Sequence, residues 1–181
     1  MKNRQLNRLA NYDYSQNGMY FVTICVKDRM ESLGQIINGK VSLSGMGNVA
    51  QKYWRDIPGH FPHVYLDEFI VMPNHIHGII EIINPDPVGN KNFCSLPNPR
   101  SLQELPWQTL WSRSLSSAIR GFKIGVTKWC KQNNFHDFAW QKSYYDHIIR
   151  NEIELNRIRE YIIANPINWE RDRNNNIDIF M

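Results

Sequence analysis

Two histidines stand two positions apart in the stretch Val71-Met72-Pro73-Asn74-His75-Ile76-His77-Gly78-Ile79-Ile80. On a β-strand successive side chains point to opposite faces, so His75 and His77 share one face while Ile76 and Ile80 pack on the other. Two imidazoles held in parallel on a rigid strand are a natural start for a metal site. An isolated His-x-His is more often a hydrogen-bonding pair than a ligand pair, so the role of these two depends on what converges on them. Glu81 falls on the same face by alternation, either as an outer carboxylate behind the histidines or as an exposed one.

A second set of reactive types lies late in the chain. Leu155, Ile158 and Ile162 follow at i, i+3 and i+7 and form the core stripe of a helix. Arg157, Tyr161 and Asn165 follow at i, i+4 and i+8 on an adjacent face outside the core. A phenol followed one turn later by an amide brings a nucleophile and a metal ligand to one spot. Taken alone, Tyr161 is more simply a half-buried aromatic on an amphipathic helix. Tyr144 and Tyr145 are its rivals, and they also suit packing or stacking on unpaired bases. His147 suits orientation of a catalytic group, or a plain structural hydrogen bond. Arg120, Lys123, Lys128 and Lys131 form a solvated helix face or a phosphate track.

The elements that must position these groups follow from local pattern. Residues 1–18 are polar and basic, with Lys2, Arg4 and Arg8. Met19 to Val26 is rich in β-branched and aromatic residues and predicts a buried strand. Leu33 to Leu43 around Asn38-Gly39 predicts a β-hairpin, because Asn-Gly suits the positive φ of a type I′ turn. Ser44 caps a helix over about 45–57. Val64 to Met72 and His75 to Ile83 predict two strands separated by Pro73-Asn74, which a bend would let pair as neighbours. Residues 84–113 carry Pro85, Pro87, Pro97, Pro99 and Pro106 and predict a loop insertion. Ser114 or Ser116 opens a helix to about Gln132, Phe138 to Trp140 suggests a short strand, and Asn151 caps the last helix, which ends near Asn165-Pro166. The tail from about Trp169 is polar. This order predicts an α+β fold, an antiparallel sheet with helices packed on one face.

At 181 residues and 42% hydrophobic content the chain suffices for one domain with a sizeable core. A net charge of +4 is compatible with a polyanionic partner but does not identify one. The three cysteines, Cys25, Cys94 and Cys130, are odd in number and far apart, which argues against a disulfide framework or a Cys-x-x-Cys zinc site. The N-terminus lacks the apolar run of a signal peptide, and no stretch approaches the roughly 20 apolar residues that span a bilayer. The expectation is a cytoplasmic protein with no membrane partner.

The ordered set of motifs is more specific than any one of them. Tyr20-Phe21-Val22-Thr23, Met72-Pro73-Asn74-His75-Ile76-His77-Gly78, Trp140-Gln141-Lys142-Ser143-Tyr144-Tyr145-Asp146-His147-Ile148-Ile149-Arg150 and Tyr161-Ile162-Ile163-Ala164-Asn165-Pro166 together resemble the HUH-type tyrosine transposases, the insertion-sequence-200-like and REP-associated proteins. The resemblance runs from about residue 16 to 170. It implies a ferredoxin-like fold over 1–181, with His75 and His77 as ligands of a divalent metal, Asn165 at the third ligand position and Tyr161 as nucleophile on single-stranded DNA. It implies Mg²⁺ or Mn²⁺, whereas imidazole ligands by themselves favour zinc or another transition metal. Arg120, Lys123, Tyr144, Tyr145, His147 and Arg157 are then candidate DNA contacts, with hairpin-bearing or single-stranded DNA as partner. The insertion at 84–113 is longer than the minimal members need, and a homodimer stays open. The alternative to a strand-transferring enzyme is a domesticated binder of structured single strands that no longer cleaves. A metal phosphoesterase using water is a weaker third reading.

Overall fold

The computed structural model describes residues 12–84 and 114–169. The basic arm with Lys2, Arg4 and Arg8, nearly all of the 84–113 insertion, Cys94 and the tail beyond Trp169 lie outside the described residues.

Six strands and four α-helices follow in chain order among the described residues, with a 3-10 turn at Lys27–Arg29 after the first strand. They are β1 (Gly18–Cys25), β2 (Gly34–Ile37), β3 (Lys40–Leu43), α1 (Gly45–Arg55), the one-turn α2 (Ile57–His60), β4 (Val64–Val71), β5 (His75–Ile82), α3 (Leu115–Gln132), β6 (Tyr145–Ile149) and α4 (Glu152–Ala164). The main sheet has the order β4-β5-β1-β6, and every neighbouring pair is antiparallel. Without the β2–β3 hairpin and α4, the remainder is a βαββαβ unit with its first and third long strands in the centre, the ferredoxin-like arrangement. The hairpin forms as expected, with Asn38 and Gly39 at φ 51° and 71° in its turn.

Side-chain caps set the helix starts. Ser44 Oγ accepts from the Gly47 amide at 3.1 Å, Ser114 Oγ from Ser117 at 3.3 Å, and Asn151 Oδ1 from Glu154 at 2.9 Å. The first helix stops at Arg55, and the chain re-enters a separate turn at Ile57-Pro58, where proline tolerates only a helix start.

Two expectations need correction. The fourth strand of the sheet is Tyr145–Ile149, whereas Phe138–Trp140 contributes only an isolated bridge from Trp140 to Val26. Asp146, buried at the second position of β6, interrupts the hydrophobic pattern by which a strand is read. The helices also occupy both faces of the sheet rather than one. Tyr20, Val22, Ile24, Ile76 and Ile80 meet Ala50 and Trp54 of α1 and Ile119, Phe122 and Val126 of α3. Phe21, Ile79 and Ile149 on the opposite face meet Leu155, Ile158 and Ile162 of α4. The cause lies in β5, which is buried on both sides, with Ile76, Ile80 and Ile82 on one and Ile79 beside the histidines on the other, and must be covered twice. Gly78 belongs to this requirement, because a Cβ there would collide with the Trp54 indole. The face carrying His75 and His77 is therefore the one that α4 covers.

Candidate active site

His75 opens β5 and His77 follows two residues on, with ring centroids 4.3 Å apart and both side chains buried. Each ring is oriented through Nδ1. His75 Nδ1 lies 2.7 Å from Asn74 Oδ1, and His77 Nδ1 lies 2.9 Å from Thr23 Oγ1 on the neighbouring strand, where Thr23 and His77 are register partners. Since the Asn74 oxygen only accepts, His75 carries its proton on Nδ1 and its Nε2 lone pair is bare. That Nε2 is buried and has no hydrogen-bond partner among the described residues. Burial, with a smaller push from the Arg29 guanidinium, moves the His75 pKa down to about 3. Burial, with the neighbouring His75, holds His77 well below the usual histidine range. Both imidazoles are neutral near pH 7, the form that ligates a metal.

Tyr161 projects from α4 onto this pair. Its hydroxyl is 3.3 Å from His77 Nε2, and its ring meets His77 and Phe21 edge-on at centroid distances of 5.3 and 6.1 Å. Phe21 stacks on His77 at 5.3 Å and so fills the space behind the imidazole. Asn165 lies one turn beyond Tyr161 at the C-cap of α4 and is 1% exposed. The expectation that the Arg157–Tyr161–Asn165 stripe lies outside the core thus fails at its far end: Asn165 is buried and only Arg157 is exposed. Past the helix end, Trp169 stacks on His75 at 5.9 Å and covers it. All these groups come from one chain.

The donor set fits a divalent cation. Among the described residues no group of three or more His, Cys, Asp or Glu side chains is placed to hold one, so a third protein ligand would have to be of another type, such as the Asn165 amide oxygen. The nitrogen of His77 that would ligate a cation is the one against which the phenol now rests.

The other singled-out residues fall into separate places. Arg120, Lys123 and Tyr144 line a groove on the outer side of α3, on the face of the sheet away from Tyr161. Lys123 Nζ donates to the Gln141 carbonyl at 2.6 Å, with the Lys142 and Ser143 carbonyls nearby, so its charge is held by backbone. Tyr145 packs on the α4 side of the sheet, opposite to Tyr144. His147 Nε2 is 2.8 Å from Glu154 Oε1, which joins β6 to the first turn of α4. Glu81 lies beyond Ile79 near the far end of β5, paired with Met19 and Tyr65.

Sequence reasoning missed three residues of the site: Thr23, Asn74 and Trp169. The signal for Asn74 was present, since an amide immediately before a ligand-type histidine can reach its ring. Thr23 could be found only from the register of β1 against β5, 54 residues away.

No protein-family profile matches the chain. It is 44% identical over 170 residues to an uncharacterized protein of Haemophilus influenzae, covering 94% of this chain and 92% of that one. It is 23% identical over 161 residues to a second Haemophilus influenzae protein that carries the provisional name REP-associated tyrosine transposase, covering 88% of this chain and 77% of that one. Among solved structures it shares its fold with a REP-associated tyrosine transposase bound to a REP hairpin, at a TM-score of 0.60 and 18% identity, covering 90% of this chain and 74% of that one. With its 44% identical, near full-length relative the chain forms one family, and it shares its fold with the REP-associated tyrosine transposase whose hairpin complex is solved.

Proposed function

We propose that this protein cleaves and rejoins single-stranded DNA through a 5′-phosphotyrosine on Tyr161, with His75, His77 and Asn165 holding a divalent cation, Mg²⁺ or Mn²⁺. The observation that carries this reading is the 3.3 Å approach of the Tyr161 hydroxyl to His77 Nε2, beside a second neutral imidazole with a bare nitrogen. A cation bound there supplies charge neutralisation at a phosphate oxygen. The chain's own part is positional. α4 aims the phenolic oxygen, Phe21 and Thr23 fix the His77 ring, and Asn74 fixes His75. The phenolic oxygen attacks phosphorus, the bond from phosphorus to the 3′-oxygen breaks, the phenol proton passes to solvent and the 3′-oxygen leaves as a hydroxyl after taking up a proton. One ester replaces another, so the strand can be rejoined elsewhere without a nucleotide cofactor.

The partner we infer is single-stranded DNA carrying a hairpin, supported by the hairpin bound to the solved relative. The contact between Tyr161 and His77 within one chain supports a site that needs no second copy. The test is a denaturing gel for covalent adduct on hairpin-bearing oligonucleotides with and without Mn²⁺. Adduct is expected with metal, and Tyr161→Phe should abolish it while DNA binding persists. An undiminished adduct moves the nucleophile to Tyr144 or Tyr145. Binding without adduct in the unaltered protein favours the domesticated binder, and cleavage without adduct favours a water-using phosphoesterase.

A further inference from the structure

A groove of about 900 Å³ runs between the outer face of α3 and residues 139–144. Arg120, Lys128 and Lys131 on the helix and Lys142 opposite give it four exposed cations, and among the described residues no Asp or Glu lines it. Its surface is not a plain charged face. Ile124 lies open on it at 56% exposure, and Trp140 and Tyr144 form part of its wall. The wall itself is fixed, because Lys123 Nζ holds the carbonyls of residues 141–143 against α3.

Cations beside apolar and aromatic surface match a nucleic-acid strand whose bases are unpaired: phosphates meet the cations while bases lie on aromatic and aliphatic faces. A duplex stem would offer phosphates but keep its bases stacked within.

The groove and Tyr161 lie on opposite faces of the main sheet, and β6 is the edge strand between them. Tyr144 and Tyr145 are consecutive at the start of that edge, Tyr144 packed on the groove side and Tyr145 on the Tyr161 side. Tyr145 is the register partner of Thr23, and Thr23 that of His77, so one row across the sheet leads from the β6 edge to the histidines. Two strand spacings of about 4.8 Å separate Tyr145 from His77 along that row.

From this we propose that the α3 groove binds the single-stranded segment flanking the DNA hairpin, and that this segment rounds the β6 edge past Tyr144 and Tyr145 to reach Tyr161. The inference rests on the DNA-cleaving reading above and adds a track on the far face of the sheet.

The experiment compares two labelled oligonucleotides, a hairpin alone and the same hairpin with a single-stranded extension, on the full chain and on the triple variant Arg120→Gln/Lys128→Gln/Lys131→Gln. All three positions are exposed, so the fold should be retained, and circular dichroism checks it. The unaltered protein should bind the extended oligonucleotide more tightly. The variant should lose at least tenfold of that affinity and keep its affinity for the hairpin alone. The slope of log affinity against log salt should fall by roughly 2 for three phosphate contacts to a single strand. Bromodeoxyuridine in the extension should photo-crosslink to the peptide containing Trp140 and Tyr144. Equal losses on both oligonucleotides would assign the groove to the stem and overturn the proposal. So would an extension that adds no affinity, or crosslinks confined to the α4 side. An unaltered protein that binds neither oligonucleotide overturns the DNA reading itself, a different failure.

Discussion

The hydroxyl of Tyr161 rests 3.3 Å from Nε2 of His77, a contact across 84 residues of chain between helix α4 and strand β5. The nucleophile we propose and a nitrogen we propose for the metal therefore face each other directly. A cation held by His77 Nε2 would compete with the phenol for that nitrogen. Tyr161→Phe should accordingly bind Mn²⁺ more tightly than the unaltered protein. One neutral hydrogen bond contributes about 1 kcal/mol, so the gain should be roughly fivefold. Titration calorimetry measures it without any DNA. Weaker Mn²⁺ binding in the variant would mean that the phenol is itself a ligand.

Thr23 is a positioning residue, acting through His77 Nδ1 at 2.9 Å. Thr23→Val keeps the shape and removes the hydroxyl. Loss of such an outer partner typically lowers metal affinity about 10- to 100-fold. The stranded Nδ1 should also cost about 1–3 kcal/mol of stability. Thr23→Ser should restore metal affinity. If Thr23→Val destabilises the protein yet binds Mn²⁺ unchanged, Thr23 only packs.

The parts of this site legible in the sequence are those governed by local period. The strand period puts His75 and His77 on one face, the helix period puts Asn165 one turn beyond Tyr161, and Ser44, Ser114 and Asn151 mark helix starts. What stayed hidden depends on pairing between distant segments. Thr23 reaches His77 only through the β1–β5 register, and Trp169 reaches His75 only because the chain turns back after Asn165. The side of the sheet taken by α4 was hidden for another reason. An apolar run such as β5 reveals that it is buried, but not that its two faces need different covers.

Gly78, between the two core layers, is set by Trp54 and Phe69, which occupy the space a methyl group would need. Gly78→Ala must displace the indole or the strand, and overpacking of this kind costs about 1–3 kcal/mol. Because Gly78 follows His77 directly, strand displacement should also weaken Mn²⁺ binding. Thermal unfolding and metal titration of the same variant separate the two responses. A variant with unchanged stability would mean that Trp54 moves aside freely.

Asp67 and Arg159 tie α4, the helix that carries Tyr161, to the outer strand of the sheet. Arg159 donates Nε to one carboxylate oxygen at 2.8 Å and Nη2 to the other at 2.6 Å, in a two-point clasp. Asp67 lies where the register of β4 against β5 shifts, between Leu66 and Phe69. The clasp, chiefly its hydrogen bonds, holds the Asp67 carboxyl below its usual range. The unfolded chain then binds the proton more readily than the folded one, so stability rises with pH through that interval. The contribution is complete above the unfolded carboxyl pKa of about 3.9 and is lost as pH falls through the lower folded value. Asp67→Asn should melt earlier than the unaltered protein at pH 7, and the difference should close below about pH 4. Because Arg159 sits two residues before Tyr161, the same variant should form adduct more slowly at pH 7 with DNA affinity unchanged. A melting difference that persists undiminished at pH 3 would show that packing, and not the charged clasp, holds α4 at this edge.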